Sequence, residues 1–235
     1  MSRVILDDRL KAAADFVRQG AYFADIGTDH AYLPVFLLEE GRIRHAYASD
    51  VARGPVLAAE AHIAASSVGD RITLRLADGL QGLPNDAPDV TDIAVCGMGG
   101  ELIVRLIDDA PFVKKSGIRL ILQPMSRANI LRRYLAKNGF LIEKETLSCA
   151  DGRIYTCMCV SYTGTPHEIS DLEAALGKAH LSAVRTPIFH DYVAEKLRSA
   201  EKKLLGMKRG GLDTAEEEAF ADALRRILNE MERKV

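Results

Sequence analysis

The chain has 235 residues, of which 48% are hydrophobic and 27% are charged, and its formal net charge at pH 7 is −2. This length and composition are typical of a soluble protein with one sizeable domain, or one domain plus an appendage, and the charge argues against a polybasic nucleic-acid binder. No apolar run reaches the ~20 residues that cross a bilayer and the N-terminus does not resemble a signal peptide, so we expect a cytoplasmic protein without a membrane partner.

The first part of the chain alternates short apolar runs with helical patterns. An amphipathic helix is predicted over residues 7–19. The predicted strands cover 21–26, 45–50, 71–77, 90–96 and 118–123. The predicted helices between them cover 31–40, 53–67, 100–109 and 127–138. Strands that alternate with helices form a parallel sheet covered on both faces, so the fold class is α/β.

Two further strands follow this pattern at 139–148 and 153–162, joined through Ala150, Asp151 and Gly152. This spacing is typical of a β-hairpin, which would add an antiparallel strand at the end of the sheet. The hairpin completes a first domain that we predict to cover residues 1–163.

The rest of the chain, residues 164–235, is predicted to be a separate helical domain. One long helix is expected over 168–206, interrupted at Pro187, and another over 213–234. Gly210 and Gly211 would end the first, and Asp213 or Thr214 would begin the second. Apolar residues recur at three- and four-residue steps in both, which indicates an antiparallel hairpin similar to a short coiled coil.

The four cysteines do not form a recognisable framework. They are Cys96, Cys149, Cys157 and Cys159, without a CxxC spacing. Cys157 and Cys159 would point the same way from one strand, too close for ordinary disulfide geometry. We interpret all four as reduced thiols used as small core residues, as expected in the cytoplasm. A metal or redox site is the alternative, but nothing in the spacing supports it, and no metal is expected.

Polar residues and glycines follow the ends of the predicted parallel strands. Doubly wound sheets bind ligands at the carboxyl ends of their strands, so these residues are candidates for one pocket. In strand order they are Asp25, Gly27, Asp29 and His30; Asp50 and Val51; Ala77, Asp78, Gly79 and Leu80; Gly97, Met98, Gly99 and Gly100; Gln123 and Pro124. A single acid at such an end is commonly a helix N-cap, but acids at three successive ends indicate a binding pocket.

The residue types at these ends suit an adenine nucleoside. Gly27 would let the backbone approach a ligand. Asp50 could accept hydrogen bonds from the two ribose hydroxyls. Asp78 could accept one from the exocyclic amine of adenine, with Ala77 and Leu80 beside the ring. Asp25 has a structural alternative, which is to hold the loop.

The first turn distinguishes between two adenosine cofactors. A dinucleotide needs a GxGxxG turn so that its diphosphate can rest on a helix N-terminus, and Asp29 would repel that diphosphate. S-adenosylmethionine instead carries a sulfonium and an ammonium group, for which acids at this turn are favourable. The sequence therefore predicts a methyl donor bound to a class I, Rossmann-like methyltransferase sheet.

The stretch GMGG after the fourth strand would border the place where the acceptor meets the methyl group. Gly99 and Gly100 could admit a flat ring, and Met98 could supply an apolar wall. The alternative is a flexible turn before a helix. The [ND]PP[YF] motif that N6-adenine and some cytosine methyltransferases carry here is absent.

The segments ADIGTDHAYLP, SDVARGP, ADGL, VCGMGG and LILQPM, in this order and spacing, resemble the bacterial TrmK family of tRNA (adenine-N1)-methyltransferases, which act on adenosine-22. The resemblance covers about residues 3–163, and the family also carries a coiled-coil-like C-terminal domain. It implies S-adenosylmethionine as cofactor and N1 of an adenosine in tRNA as acceptor. Met125 stands where some relatives have Asn, and we assign it no catalytic role.

The resemblance also implies roles for individual residues. Asp29 would be the catalytic or donor-site carboxylate, which stabilises the positive charge on the methylated adenine or takes a proton from its N6. His30 would either hold the loop or act as a base. Because N1 lies on the Watson–Crick edge, the base must be unpaired or flipped out, and Gln123 and Pro124 would line its slot together with Gly99 and Gly100.

Basic residues in three regions are candidates for contacts with tRNA phosphates. They are Arg9; Arg127, Arg132 and Arg133; and Lys202, Lys203, Lys208 and Arg209. The alternative for each cluster is a solvated helix face. We expect a monomer or a weak dimer. Two other functions are left open: a class I methyltransferase acting on a small molecule or a protein, and a non-enzymatic RNA-binding or scaffold protein.

Overall fold

A computed structural model of the chain describes residues 4–178 and 186–233. The chain divides into two compact units, Met1–His167 and Glu168–Val235. The domain boundary predicted after residue 163 lies a few residues before the boundary between these units. None of the helices in the described parts of the chain is long and apolar enough to cross a membrane.

The first unit is built on a seven-stranded sheet with the order β3-β2-β1-β4-β5-β7-β6. Its strands are β1 (Ala21–Ile26), β2 (Ile43–Asp50), β3 (Ile72–Leu76), β4 (Asp92–Gly99), β5 (Arg119–Ser126), β6 (Phe140–Ala150) and β7 (Arg153–Tyr162). Strands β1 to β5 are parallel, whereas β7 is antiparallel to both β5 and β6. The predicted parallel sheet with a closing antiparallel hairpin is confirmed.

Helices cover both faces of this sheet, as its nearly continuous apolar strands require. They are α1 (Asp8–Phe16), α2 (Tyr32–Glu39), α3 (Arg53–Ala65), α4 (Leu83–Asp86), α5 (Gly100–Asp108) and α6 (Ala128–Lys137). One core cluster joins the sheet to α1, α2 and α3, for example through Ala13, Leu37 and Ala59. The other joins it to α5 and α6, for example through Ile103 and Leu135. This arrangement is the predicted Rossmann-like fold.

Two local features of the sheet depend on left-handed backbone angles, and the second lies at the site. The β6–β7 turn consists of Asp151 and Gly152, which have φ angles of 49° and 70°, as a type I′ hairpin requires. The GMGG stretch, for which a flexible turn was the alternative, forms the end of β4 up to Gly99, which pairs with Ser126 of β5. The register shifts after Cys96, and Gly97 takes a left-handed φ of 79°. This bulge therefore turns the end of β4 at the centre of the sheet.

The second unit consists of α7 (Asp171–Leu176), α8 (Pro187–Arg209) and α9 (Ala215–Glu232). The helix predicted over 168–206 is thus two helices, of which α8 begins at Pro187, a favoured first helical residue. Residues 179–185, within the predicted helix, lie outside the described residues. Ion pairs link Arg225 to Glu201 and Lys208 to Glu218, so α8 and α9 run antiparallel. The predicted helical hairpin is confirmed.

Candidate active site

A cavity of about 640 Å³ opens at the carboxyl ends of β1, β2 and β4, where α1 also contributes to its wall. This volume is within the range of cofactor and small-molecule sites. The predicted site residues that line it are Arg9, Asp25, Gly27, Asp29, Asp50, Gly97 and Met98. The sequence reasoning did not include eight further lining residues, which are Ile5, Leu6, Asp7, Leu10, Tyr32, Leu33, Cys96 and Met125.

The loop after β1 is held by hydrogen bonds to its neighbours. The backbone N–H groups of Gly27 and Thr28 donate to the Ser49 carbonyl at 2.8 and 2.9 Å. His62 Nδ1 donates to the His30 carbonyl oxygen at 2.7 Å. Every second residue from 27 to 31 has a left-handed backbone conformation. These residues are Gly27 (φ 74°), Asp29 (φ 51°) and Ala31 (φ 56°). Strained non-glycine residues in a well-held loop are typical of functional sites.

Gly27 lies close to a side chain of β4, and its backbone conformation favours glycine. A Cβ placed on Gly27 would lie 2.2 Å from the terminal methyl carbon of Met98, and its φ of 74° also disfavours other residues. Gly27 also lines the cavity, and the predicted approach of a ligand to its backbone stays a prediction. Because methionine is flexible and polarizable, Met98 forms an adaptable apolar wall between the loop and β4.

Asp25 is a buried acid at the floor of the cavity. Its residue exposure is 5%, and its Oδ2 accepts a hydrogen bond from Thr28 Oγ1 at 2.7 Å. Burial raises the pKa of Asp25 from 3.8 to about 6; the hydrogen bond from Thr28 opposes this rise, and the charge of Asp50 adds to it. A cation in the cavity would therefore stabilise the ionised form of Asp25.

Asp50 and Asp29 are more accessible. Oδ1 of Asp50 accepts a hydrogen bond from Ala52 N at 2.9 Å and so supports the start of α3. Its other oxygen, Oδ2, has no hydrogen bond to the described residues and can accept one from a ligand. The side chain of Asp29 is 68% exposed, and its Oδ1 lies 3.7 Å from His30 Nε2. The His30 ring stacks on Tyr32 with a centroid distance of 5.2 Å. These contacts favour the loop-holding role of His30.

Arg9 reaches from α1 over the end of β4. Its Nη1 donates to Gln123 Oε1 at 2.9 Å, and the same oxygen accepts from Gly97 N at 3.0 Å. Its Nη2 donates to Asp7 Oδ2 at 3.3 Å. Gln123 has an exposure of 0%. The prediction that Gln123 lines a slot for the acceptor is therefore wrong. Gln123 instead fixes Arg9 and the β4 bulge relative to each other.

Comparison with known proteins identifies the family. Residues 6–158 match a family model described as a methyltransferase domain. The chain is 32% identical over 183 residues to the tRNA (adenine(22)-N(1))-methyltransferase of Bacillus subtilis, and the match covers 78% of this chain and 73% of that protein. The chain belongs to the TrmK family of methyltransferases.

Solved structures with similar folds extend this relationship over both units of the chain. A Streptococcus pneumoniae protein, described as a candidate tRNA (m1A22) methyltransferase in complex with S-adenosylmethionine, is 30% identical with a TM-score of 0.81. That match covers 95% of this chain and 100% of the other. A Streptococcus agalactiae protein of the NADB-Rossmann superfamily is 30% identical with a TM-score of 0.83, covering 95% of this chain and 97% of the other.

Several residues expected in a TrmK donor site lie outside the cavity. Leu80 is only 2% exposed and packs in the core beside α5, so the prediction that its side chain flanks an adenine ring is wrong. Gly79 has a left-handed φ of 58°, a backbone conformation that favours glycine. Ala77 and Gly79 also line a small neighbouring pocket. Asp78 and Val51 are exposed, and their roles towards adenosine stay predictions.

Three of the four residues assigned to the slot for the acceptor base are buried, namely Gly100, Gln123 and Pro124. A Cβ on Gly100 would lie 2.5 Å from the Arg127 carbonyl oxygen, so Gly100 is needed where α5 packs on the start of α6. Gly99 is partly exposed. Within GMGG, the residues that line the cavity are Gly97 and Met98, and not Gly99 or Gly100.

Arg132 was predicted to contact tRNA, and the structure contradicts this. The residue is 1% exposed, and its Nε and Nη2 donate to Glu145 Oε1 at 2.9 and 2.6 Å. A buried guanidinium paired in this way cannot reach a phosphate and instead ties α6 to β6. The sequence contained a signal for this burial. Arg132 lies next to Leu131 and one turn before Leu135, on the apolar face of the helix. Arg127 and Arg133 are exposed on the same helix region.

The basic residues near the tip of the helical hairpin are partly neutralised. Lys203 pairs with Glu217, and Lys208 Nζ lies 2.9 Å from Glu218 Oε1. These lysines are more than half exposed, and surface pairs of this kind contribute only about 0–1 kcal/mol, so RNA phosphates could replace the glutamates. Lys202 and Arg209 are exposed as well, and all four stay predicted RNA contacts.

Within the described residues there is no group of three or more His, Cys, Asp or Glu side chains that could hold a metal ion. Cys96, Cys157 and Cys159 are buried free thiols, as predicted, whereas Cys149 is exposed. Burial raises the pKa of the Cys96 thiol well above its usual value. Cys96 therefore lines the cavity as a small neutral residue and not as a nucleophile.

Proposed function

We propose that this protein transfers a methyl group from S-adenosylmethionine to N1 of adenosine-22 in tRNA. The observation that carries the proposal is the acid-lined cavity at the carboxyl ends of β1 and β2. It occurs in a chain that is 32% identical over 183 residues to a Bacillus subtilis enzyme named for this reaction. A related Streptococcus pneumoniae structure contains S-adenosylmethionine, which supports the choice of cofactor.

The cavity residues fit a cationic methyl donor. Asp25 is buried with a raised pKa, and Asp29 and Asp50 lie in the same cavity. A diphosphate would add negative charge to this group, whereas a sulfonium and an ammonium would compensate it. When bound, S-adenosylmethionine supplies a methyl group on a positively charged sulfur, and its transfer leaves a neutral thioether.

The residues of the chain contribute mainly by positioning the acceptor relative to the methyl donor. The N1 lone pair of adenine lies in the ring plane and attacks without prior deprotonation, so alignment with the methyl group provides most of the acceleration. Asp50 accepts hydrogen bonds from the ribose hydroxyls of the donor and fixes its orientation. Asp29 stands at the exposed side of the cavity, where it stabilises the positive charge that develops on adenine and accepts a proton from N6.

The macromolecular part of the proposal is that a flipped-out adenosine of tRNA enters this cavity. Exposed arginines of the first unit, Arg127 and Arg133, and the basic tip of the hairpin supply contacts to the RNA backbone. A monomer or weak dimer located in the cytoplasm, where tRNA is modified, is part of the same proposal.

The decisive experiment is methylation in vitro. The protein is incubated with methyl-labelled donor and an unmodified tRNA transcript that has adenosine at position 22, and the digested RNA is examined for 1-methyladenosine. We expect this nucleoside in that transcript and not in a matched transcript with guanosine at position 22. If neither transcript nor bulk unmodified tRNA acquires 1-methyladenosine while the protein binds the donor, the tRNA assignment is wrong and a small-molecule or protein acceptor replaces it.

A further inference from the structure

The cavity carries an uneven set of charges. Its described lining residues include the four acids Asp7, Asp25, Asp29 and Asp50, but Arg9 is the one cation among them. The amino-acid portion of S-adenosylmethionine carries a carboxylate, which these acids repel. We propose that Arg9 binds the donor carboxylate and that Gln123 positions Arg9 for this contact. The inference rests on the proposed function and replaces the sequence-based assignment of Arg9 to tRNA.

The position of the guanidinium is fixed from two sides. Gln123 Oε1 accepts from Arg9 Nη1 at 2.9 Å and from Gly97 N at 3.0 Å, while Asp7 Oδ2 accepts from Nη2 at 3.3 Å. A Cβ on Gly97 would lie 3.7 Å from Arg9 Nη1, so the guanidinium lies directly over the end of β4. Because Gln123 is fully buried, its amide cannot move without disturbing β5, and Arg9 is therefore preorganised.

The order of the strands places this cation at the correct end of the donor. The acid proposed for the ribose, Asp50, ends β2, and Asp25 is the last residue but one of β1. Gly97 lies in β4, on the far side of β1 from β2. With strands about 4.8 Å apart, Arg9 lies about 10 Å along the edge from the ribose site. A donor that holds its adenosine over β2 therefore extends its amino-acid portion towards Arg9.

The exposure and chemistry of Arg9 favour a small anion over an RNA backbone. Its side chain is 19% exposed and points into the cavity wall, whereas Arg127 and Arg133 are exposed at the surface. A guanidinium has five N–H donors in a planar fork, and its contacts with the described residues use two of them. The remaining donors can bind a carboxylate with two parallel hydrogen bonds.

The test separates the carboxylate from the rest of the donor. Decarboxylated S-adenosylmethionine keeps the adenosine, the sulfonium and the ammonium but lacks the carboxylate. Calorimetry would measure its affinity and that of S-adenosylmethionine for the wild type, Arg9→Gln and a control, Lys11→Gln. Lys11 is on the same helix and is 53% exposed in a pair with Asp8, outside the cavity lining.

We expect the wild type and Lys11→Gln to prefer S-adenosylmethionine by about tenfold to a hundredfold, the range of one charge-assisted pair. Arg9→Gln should lose this preference and bind the decarboxylated compound no worse than the wild type, because a repelling cation has been removed. Gln123→Leu should reduce the preference while keeping part of it. General damage to the cavity would weaken both ligands together, so the ratio of affinities reports the specific contact.

The opposite results are equally clear. If Arg9→Gln weakens both ligands by the same factor, or leaves donor binding unchanged and raises only the KM for tRNA, Arg9 does not bind the carboxylate. If the wild type shows no preference between the two ligands, the inference is also wrong. A wild type that binds neither ligand would overturn the proposed function itself, a result distinct from the failure of the Arg9 contact.

Discussion

Replacing Asp25 by asparagine should stabilise the ligand-free protein at neutral pH. The residue is 5% exposed, and burial raises the pKa of Asp25 from 3.8 to about 6. Asparagine has nearly the same shape and keeps an oxygen that can accept the 2.7 Å hydrogen bond from Thr28. The substitution therefore removes the buried charge and little else.

The magnitude follows from the difference between the two pKa values. A raised pKa in the folded state means that the contribution of Asp25 to stability is fully present below pH 3.8 and is lost as the pH rises through about 6. A difference of about two pH units corresponds to about 3 kcal/mol lost by the wild type at pH 8. Asparagine does not titrate, so Asp25→Asn avoids this loss.

Thermal unfolding followed by circular dichroism at pH 4.5 and pH 8 measures the effect. We expect the melting temperature of Asp25→Asn to exceed that of the wild type by on the order of 5–10 °C at pH 8, with a much smaller difference at pH 4.5. Asp92→Asn is the matched control, because Asp92 is also buried but lies 2.9 Å from Arg18 Nη2. Because the side chain of Arg18 is 38% exposed, weakening that pair should destabilise the protein at pH 8 by about 1 kcal/mol, the opposite sign to Asp25→Asn.

Two results would refute the reasoning. One is an Asp25→Asn variant that is less stable than the wild type at pH 8, and the other is a stability difference that is the same at both pH values. If the prediction holds, the variant should also bind S-adenosylmethionine more weakly, because the donor's positive charge no longer meets an ionised partner. Higher stability with weaker binding is the expected trade-off at an active site.

The remaining predictions concern the two accessible acids of the cavity. Asp29→Ala should keep the circular dichroism spectrum and most of the donor affinity but lose most of the turnover measured at saturating donor; turnover near that of the wild type would show that Asp29 has no catalytic role. Asp50→Ala should weaken donor binding about tenfold to a hundredfold in calorimetry, because a charged hydrogen bond to the ribose contributes about 1.5–3 kcal/mol. Unchanged affinity would place the ribose elsewhere.

The apolar pattern was sufficient to predict most of the fold. The strands at 21–26 and 153–162 have the predicted bounds, because each is a clear apolar run between turn residues. The end of β4 was predicted too early, at residue 96 instead of Gly99, since the consecutive glycines of GMGG locally favour a turn. Its strand conformation depends on pairing between Met98 and Pro124 on β5, which no local pattern contains.

The candidate site was predictable only where it lies at strand ends. Asp25 and Asp50 lie in the last two residues of their strands, Asp29 lies in the loop after β1, and all three line the cavity. Asp7 and Tyr32 were missed because their places in the lining follow from how α1 and α2 pack on the sheet. The burial of Gln123 depends in the same way on the packing around β5. Strand order can be inferred from spacing, but side-chain direction at a tertiary contact cannot.

The charge of the cavity also bears on how donor and product differ. S-adenosylmethionine and S-adenosylhomocysteine share the adenosine, the ammonium and the carboxylate, so the contacts proposed for Asp50 and Arg9 would be the same with both. Only the donor carries the sulfonium charge, and the buried Asp25 is the residue whose ionisation is most costly without a cation. If the donor binds with its sulfonium beside Asp25, stabilisation of Asp25 by the ligand falls when the methyl group is transferred. In that arrangement, the buried acid that lowers the stability of the free protein would favour binding of the donor over retention of the product.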